Sequence, residues 1–352
     1  MSLTHLEDDY DHFYAPRFEV QLGARTIREA DGVISGLRVE TGLDKTNYFS
    51  FTLNEPYDHE LGEFVDFADR SVIKGMPVVV KMGYGDNLKP LIIGTVESVQ
   101  PNFPQSGGPT VSVSGNDLSH VMTKGKGSRS WNNATLSTVV ADVVSEHGFS
   151  GLAIDLPPLV DLRFKKLFQH EQSDYAFLDR TLAQKYGFEF FVRAGVAHFR
   201  EPDPLATPVV SLTYGKSLQS FRPNREDGET TVGTVEVRDW DPSSRDPITA
   251  TASVPNGGDD TDVRRVPVES QREAERIAKA LAFGLSSGVS GQCETIGLPE
   301  IREGTVVFLD RLGIKFSGPY YVESTVHRID DAGYTTSFEA TATDVFEVIS
   351  SL

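Results

Sequence analysis

The residue types able to do chemistry are scattered through this chain, and their spacing commits it to no reaction. Gly284-Leu285-Ser286-Ser287-Gly288 has the spacing of a nucleophile elbow. In an elbow a strand enters and a helix leaves, so that the serine hydroxyl stands exposed on a strained turn. Here the order is reversed. Ser270-Gln271-Arg272-Glu273 is a capping box that opens a helix burying Ala274, Ile277, Ala278 and Leu281, and an alternating stretch follows the motif. A helix-to-strand loop is the expectation. Gly215-Lys216-Ser217 ends like a phosphate-binding loop, but the position of the opening glycine is Val210. Gly83-Tyr84-Gly85 has Leu88 where a dinucleotide fingerprint needs glycine, so it reads as a turn.

Metal and thiol chemistry find no better pattern. The eight histidines (His5, His12, His59, His120, His147, His170, His198 and His327) include no pair four apart with a glutamate between them. Asp259, Asp260 and Asp262 lack the acidic ladder and terminal glutamate of a calcium loop and read as a solvated acidic loop. Cys293 is the single cysteine, which excludes an intrachain disulfide framework, and it reads as a small packed residue. No catalytic, cofactor-binding or metal-ligating residue is expected, and no cofactor. Interface residues are left open.

Charge is the outlier. Fifty-one Asp and Glu against 33 Lys and Arg give a formal net charge of −18, so the chain repels polyanions on average and sequence-specific nucleic-acid binding is disfavoured. Lys124, Lys126 and Arg129 form a short basic patch with glycine spacers. It reads as a link between domains or a contact to an acidic neighbour. Acidity with arginine in excess of lysine fits a protein working at high salt. No apolar run approaches the length of a membrane span, and the acidic, aromatic N-terminus is not a signal peptide.

The elements that would position these residues are mostly strands. Phe18–Leu22, Val33–Glu40, Tyr48–Leu53, Val78–Met82, Leu91–Val99 and Thr110–Ser114 alternate and are punctuated by Gly, Pro, Asn and Asp. They predict a closed antiparallel barrel or sandwich. The period then changes. Thr135 caps a helix carrying Leu136, Val139, Val140, Val143 and Val144, with Gly148 as its stop. Ser173 caps a second helix from Asp174 to Tyr186, with Phe177, Leu178, Thr181 and Leu182 on its inner face and Gly187 at its end. A hairpin turns at Ala194-Gly195. Strands return at Val209–Tyr214 and Thr230–Val237, and again from Gln292 to Thr343.

An internal repeat joins the two ends. Ile73–Val80, Ile93–Val99 and Thr110–Asp117 recur, in order, as Ile301–Phe308, Gly318–Val326 and Thr336–Asp344. Val96 to Val322 is a shift of 226 residues and Asp117 to Asp344 one of 227. The physical reading is two copies of one β-barrel unit in one chain, the second interrupted by an insertion.

The same stretches resemble the phage late control gene D family, which includes baseplate hub proteins and the N-terminal part of type VI spike proteins. Ile34–Pro56 resembles the family's opening, Val78–Pro104 its Gly-Tyr hairpin, and Val113–His120 its first-barrel exit. Gln172–Leu178 through Gly187–Phe190 is similar to its central helix. Gly297-Leu298-Pro299, Gly304 and Gly318–Val322 are similar to its closing barrel.

The expected fold is mainly β with an α+β insertion. It comprises an N-terminal tail (1–16), a first tube-like barrel (17–118), an α+β module (119–205), a second barrel (206–245 and 289–345) interrupted by 246–288, and a C-terminal tail (346–352). The resemblance implies a non-enzymatic structural hub, a homotrimer between a hexameric tail-tube ring and a separate trimeric spike, among other baseplate proteins. Such a hub is assembled in the cytoplasm and carried in a virion or a released injection particle. Three chains with two barrels each present six modules to the tube and threefold symmetry to the spike. The competing readings are a tail-associated cell-wall hydrolase and a monomeric carbohydrate-binding β-protein.

Overall fold

The computed structural model describes residues 6–7, 10–54, 57–64, 72–225, 231–241, 244–255, 257–285 and 288–343. Asp344, Thr230, Ser286, Ser287 and the tail 346–352 lie outside them. The protein is mainly β. The N-terminal part holds β1 (Pro16–Leu22), β2 (Arg25–Arg28), β3 (Ile34–Gly42), β4 (Tyr48–Leu53), the two-residue β5 (Tyr57–Asp58) and β6 (Glu63–Phe64), β7 (Pro77–Tyr84), β8 (Asn87–Asn102) and β9 (Thr110–Asp117). The middle holds β10 (Gly127–Thr135), α1 (Leu136–Ser145), β11 (Gly151–Asp155) and β12 (Arg163–Gln172). Helix α2 follows, one α-turn at Asp174–Ala176 continued as a π-helix over Phe177–Gln184. Next come β13 (Glu189–Arg193) and β14 (Val196–Arg200). The C-terminal part holds β15 (Val210–Thr213), β16 (Leu218–Arg225), β17 (Val232–Asp241), β18 (Asp246–Ser253), β19 (Asp260–Arg265), α3 (Gln271–Gly284), β20 (Val289–Ile296), β21 (Val306–Asp310), β22 (Gly318–Asp330) and β23 (Gly333–Ala342).

The two expected barrels are not separate closed barrels. They are half-barrels fused into one thirteen-stranded sheet in the order β16-β20-β23-β22-β3-β4-β9-β8-β7-β1-β2, with β15 and β21 branching from β22. The fusion is the antiparallel seam of β22 with β3, from Ser324 opposite Gly42 to Ile329 opposite Leu37. Alternation in the strands, as in Tyr48–Leu53, turns every second side chain inward. One apolar core therefore runs through both halves, from Phe18, Leu37 and Phe49 to Leu309, Val322 and Phe338.

The repeat is present in atomic detail. Gly75 N donates to Val96 O (2.7 Å) and Val96 N to Met76 O (2.9 Å). In the second copy Gly304 N donates to Val322 O (2.7 Å) and Val322 N to Thr305 O (2.8 Å). A β-bulge lies between Val96 and Ser98, and another between Val322 and Ser324. Strand pairing refines the alignment of the third strand. Val96 faces Gly115 and Val322 faces Ala340, so the shift there is 225 and Asp117 corresponds to Ala342, not to Asp344. Two four-strand runs in the same order, β3-β4-β9-β8 and β16-β20-β23-β22, are the repeated unit.

The insertion starts earlier than the sequence reading placed it. β17, expected in the second barrel, pairs with β18 and β19 in a sheet of its own. Val237, Ile248, Ala274, Ile277 and Ala278 share a second core with Leu136, Phe177, Leu178 and Phe190 of the α+β module. The reason is packing: α3 is amphipathic, and its apolar stripe is covered by the module and the small sheet. Caps are as read. Thr135 Oγ1 accepts from Thr138 N (3.3 Å), and Ser173 Oγ from Ala176 N (3.2 Å). Gly187 ends α2 with φ +68°. Gly148 is not a left-handed stop. Helix α1 ends at Ser145, and Glu146 and His147 close it. Thr181 is only half-buried, because its hydroxyl donates to Gln172 Oε1 (3.0 Å).

Candidate functional site

The polar groups that sequence reading could not assemble meet at the joint between the half-barrels. Three elements converge there: the β3–β22 seam, the turn from Gly297 to Thr305, and the β13–β14 hairpin of the α+β module. The turn forms because Gly304 adopts φ +71°, a left-handed conformation in which its N–H reaches Val322 O. This folds Arg302 and Glu303 inward.

Glu303 is fully enclosed. Its carboxylate accepts from Thr41 Oγ1 and from Arg193 Nε (3.3 Å), while Arg193 Nη2 also donates to the Glu303 carbonyl. Thr41 Oγ1 lies 2.8 Å from Thr325 Oγ1, so the seam itself is tied into the cluster. Arg302 is buried and donates to three carbonyls: Pro299 (2.9 Å), Leu91 (3.0 Å) and Pro90. These bonds hold the second copy's turn against the first copy's β8. A buried guanidinium with such partners is costly to strip of them.

Beside it His327 is locked between Ile301 O at Nε2 (3.1 Å) and Tyr334 Oη at Nδ1 (2.9 Å). Burial, helped by the Arg302 charge, drops its pKa to about 3, so it is a neutral core histidine. Tyr84 donates to Gly297 O (2.9 Å), and the N-terminal segment is pinned by Tyr10, whose hydroxyl donates to Glu300. On the module side Tyr321 Oη donates to Glu189 (2.7 Å), Arg200 Nη2 to Gly304 O (2.8 Å), and burial raises the Glu189 pKa. Phe191 stacks on His198 (4.8 Å between ring centres) and lies under Arg193 and Arg200. Asn47 ties the first half-barrel to the module hairpin. Its Nδ2 donates to Asp117 Oδ2 (2.8 Å) and Val192 O (2.6 Å), and its Oδ1 accepts from Gly42 N (3.1 Å). Burial raises Asp117 to about 7 against these hydrogen bonds.

The arrangement is that of a rigid joint. Glu303 and Asp117 are each engaged by a partner that also holds a neighbouring strand, so the cluster fixes angles between elements. The other singled-out residues lie elsewhere. Gly215-Lys216-Ser217 closes the tight turn into β16, with Ser217 Oγ accepting from Thr213 N (3.0 Å). Gly85 and Asp86 turn the β7–β8 hairpin. Cys293 is buried in β20, and burial pushes its thiol up to about 12. Gly284 ends α3 and Val289 opens β20, so a helix enters the Ser286 stretch and a strand leaves it. Asp262 accepts from Arg264 Nε (2.9 Å). In the basic patch Lys124 reaches Glu97 of β8 (3.2 Å), while Arg129 is held within the module by Glu146 (2.6 Å), Asp174 and Gln169. Sequence reading missed Asn47, Arg193, Arg200, Arg302, Glu303 and His327 as a cluster. The available signal was the polar Arg302-Glu303 pair inside an otherwise apolar repeat.

Among solved structures, the 43 kDa tail protein of prophage MuSo2 from Shewanella oneidensis is similar, with TM-score 0.72 and 16% identity over 94% of this chain and 99% of that one. A tail protein from Neisseria meningitidis MC58 is equally similar in fold, with TM-score 0.72 and 12% identity over 94% and 98%. The E. coli c3393 protein, described as a component of the type VI secretion system, gives TM-score 0.54 and 10% identity over 91% and 74%. The chain therefore has the fold of phage tail proteins. By sequence it belongs to the Alg8 N-terminal domain family, whose profile matches residues 15–266. That family, and not late control gene D, is the one the profile match establishes. No curated protein sequence matches the chain.

Proposed function

We propose that this chain is a structural hub of a contractile tail or injection particle, a trimeric adaptor between a hexameric tail tube and a separate trimeric spike. The observation that carries the reading is the pair of equivalent four-strand runs set side by side in one sheet. A hexameric partner needs six equivalent modules, a trimeric one needs three, and a trimer of a twofold-repeated chain offers both. The rigid joint fits this role, because docking to a ring requires the two modules to keep a fixed angle. The late control gene D resemblance and the likeness to tail-protein folds support the same reading. The hub works without catalysis, is assembled in the cytoplasm, and is carried in a virion or released particle with tube, spike and other baseplate proteins. Sedimentation of the full chain, alone and with its spike, is expected to give three chains of 38.6 kDa. A monomer in both would overturn the proposal.

A further inference from the structure

The joint inside the chain also describes an edge that the chain leaves open. In the β22–β3 seam, Leu43 N donates to Glu323 O (3.1 Å), and alternation makes Val39 with His327 a hydrogen-bonded pair and Glu40 with Val326 a non-hydrogen-bonded one. The repeat carries each half of this seam onto another strand. Residues 324–328 of β22 correspond, 226 earlier, to 98–102 at the far half of β8. Strand β3 corresponds, 184 later, to β16: Arg38 faces Ser50 and Arg222 faces Gln292, while Ser50 faces Ser114 and Gln292 faces Glu339. Among the described residues, the far half of β8 pairs only with β9, and the Ser220–Arg225 part of β16 only with β20.

Both open edges carry a proline at the matching place. His327 and Val39 map onto Pro101 and Pro223. The backbone nitrogen of Pro101 faces away from β9, because Asp117 N donates to Asn47 O and so fixes the alternation. That of Pro223 faces away from β20, because Gly297 N donates to Tyr334 O. A proline turned outward on an edge blocks indiscriminate strand addition. Set opposite each other, however, the two prolines leave no amide without an acceptor. Proline lacks the donor and keeps its carbonyl, so wherever it sits the carbonyl opposite it goes without a bond, and in this register both gaps fall at one place on the seam.

We infer that neighbouring copies of this chain join by pairing the Ser98–Asn102 edge of one with β16 of the next, antiparallel, with Pro101 opposite Pro223. The register is the one that the repeat carries over from the internal seam, and it sets the two prolines opposite each other. The flanks agree. The counterpart of the Arg302 turn is the Ile73 turn, and the counterpart of Pro90–Leu91 is Phe316–Ser317. Ile73 is 60% exposed and Ile314, beside that segment, is fully exposed. The contact between copies is therefore apolar where the one within the chain is ionic. It is head-to-tail, and three such contacts would close the trimer of the hub reading. The inference rests on the hub reading.

The test is cross-linking of the full chain. Gln100 opposite Asn224 is the counterpart of Val326 opposite Glu40, a close non-hydrogen-bonded pair suited to a disulfide. Gln100→Cys with Asn224→Cys is expected to shift the chain from one-chain to three-chain bands on oxidation. Gln100→Cys with Arg222→Cys, two residues out of register, stays at one chain. Val326→Cys with Glu40→Cys closes within one chain and shows that the geometry oxidises. Ile73→Asp, which changes only an exposed side chain, abolishes the trimer without lowering the unfolding temperature. If trimers sediment normally but the Gln100–Asn224 pair stays reduced while the internal pair oxidises, the seam is wrong and the hub reading stands. If no trimer sediments at all, both fall.

Discussion

The turn at 72–76 and the turn at 301–305 share their hydrogen bonds, their left-handed glycine and their following bulge, yet one faces solvent and the other is sealed. Lys74 is 71% exposed and bridges Glu97 at 3.2 Å, while its counterpart Glu303 is fully buried. Ile73 is exposed where Arg302 is buried. The apolar residue stands outside and the charged ones stand inside, the reverse of what hydropathy alone assigns. The difference lies in what each turn meets. The second copy's turn is covered by β3, β8 and the β13–β14 hairpin, whose free carbonyls and Arg193 reward charged partners. Among the described residues no such cover lies over Ile73, which is 60% exposed, and an apolar side chain there is what a removable neighbour would cover.

The contrast is open to direct attack. Arg302→Met leaves three carbonyls without their donor and is expected to cost about 3–5 kcal/mol, whereas Ile73→Ala should stay within about 0.5 kcal/mol. Urea unfolding of the full chain reads both, and equal costs would erase the distinction between the turns. A milder version uses the two glycines. Gly75→Ala meets nothing within 4 Å and pays only for φ +87°, about 1–2 kcal/mol, while the Cβ of Gly304→Ala would also lie 2.4 Å from Arg200 Nη2. Gly304→Ala should therefore be the more destabilising of the pair in the same titration.

Smaller again is a pH effect confined to one copy. Asp117 has a folded pKa near 7 against 3.8 ordinarily, and its counterpart is Ala342. The folded state holds this proton more tightly, so stability is fully present below the ordinary carboxylate value and is lost as pH rises through 7. His327 and His198, lowered to about 3 and about 4, lose stability only as pH falls below 6.5. From pH 6.5 to 8 those histidines no longer contribute, and Asp117 titrates beside the buried carboxyls of Asp179, raised to about 6, and Glu189, also raised, with a slope of at most about 1.4 kcal/mol per pH unit from Asp117 itself. Thermal unfolding of Asp117→Asn should show a smaller slope across this window than the parent chain, and an unchanged slope would assign the proton elsewhere.

The gentlest expectation concerns salt. At −18 per chain a trimer carries −54, three times −18. Screening shortens from about 10 Å at 0.1 M to about 3 Å at 1 M, so a copy–copy contact built on Ile73 and Ile314 should tighten as salt rises. The ionic joint inside the chain is enclosed and should hardly respond. Sedimentation from about 0.1 M to about 2 M salt checks this as the screening length falls severalfold. Dissociation with added salt would mean that ion pairs hold the copies together.

Much of this molecule was written locally. Alternation in Tyr48–Leu53, the caps at Thr135, Ser173 and Ser270, the Ala194-Gly195 turn and the stop at Gly187 depend on neighbours in the chain, and the sequence by itself determined them. It also determined the repeat, because two copies of one unit keep the same turn glycine and strand pattern. Tertiary structure alone decided where the copies join. A strand's alternation says which face is buried but not which strand lies beside it, so the β22–β3 seam and the removal of β17 from the barrel were invisible. The same holds for Arg302 and Glu303. Charged residues on a turn read as solvated until β3, β8 and β13 are brought around them, and only that enclosure, made by residues up to 262 positions away, turns a surface pair into the joint.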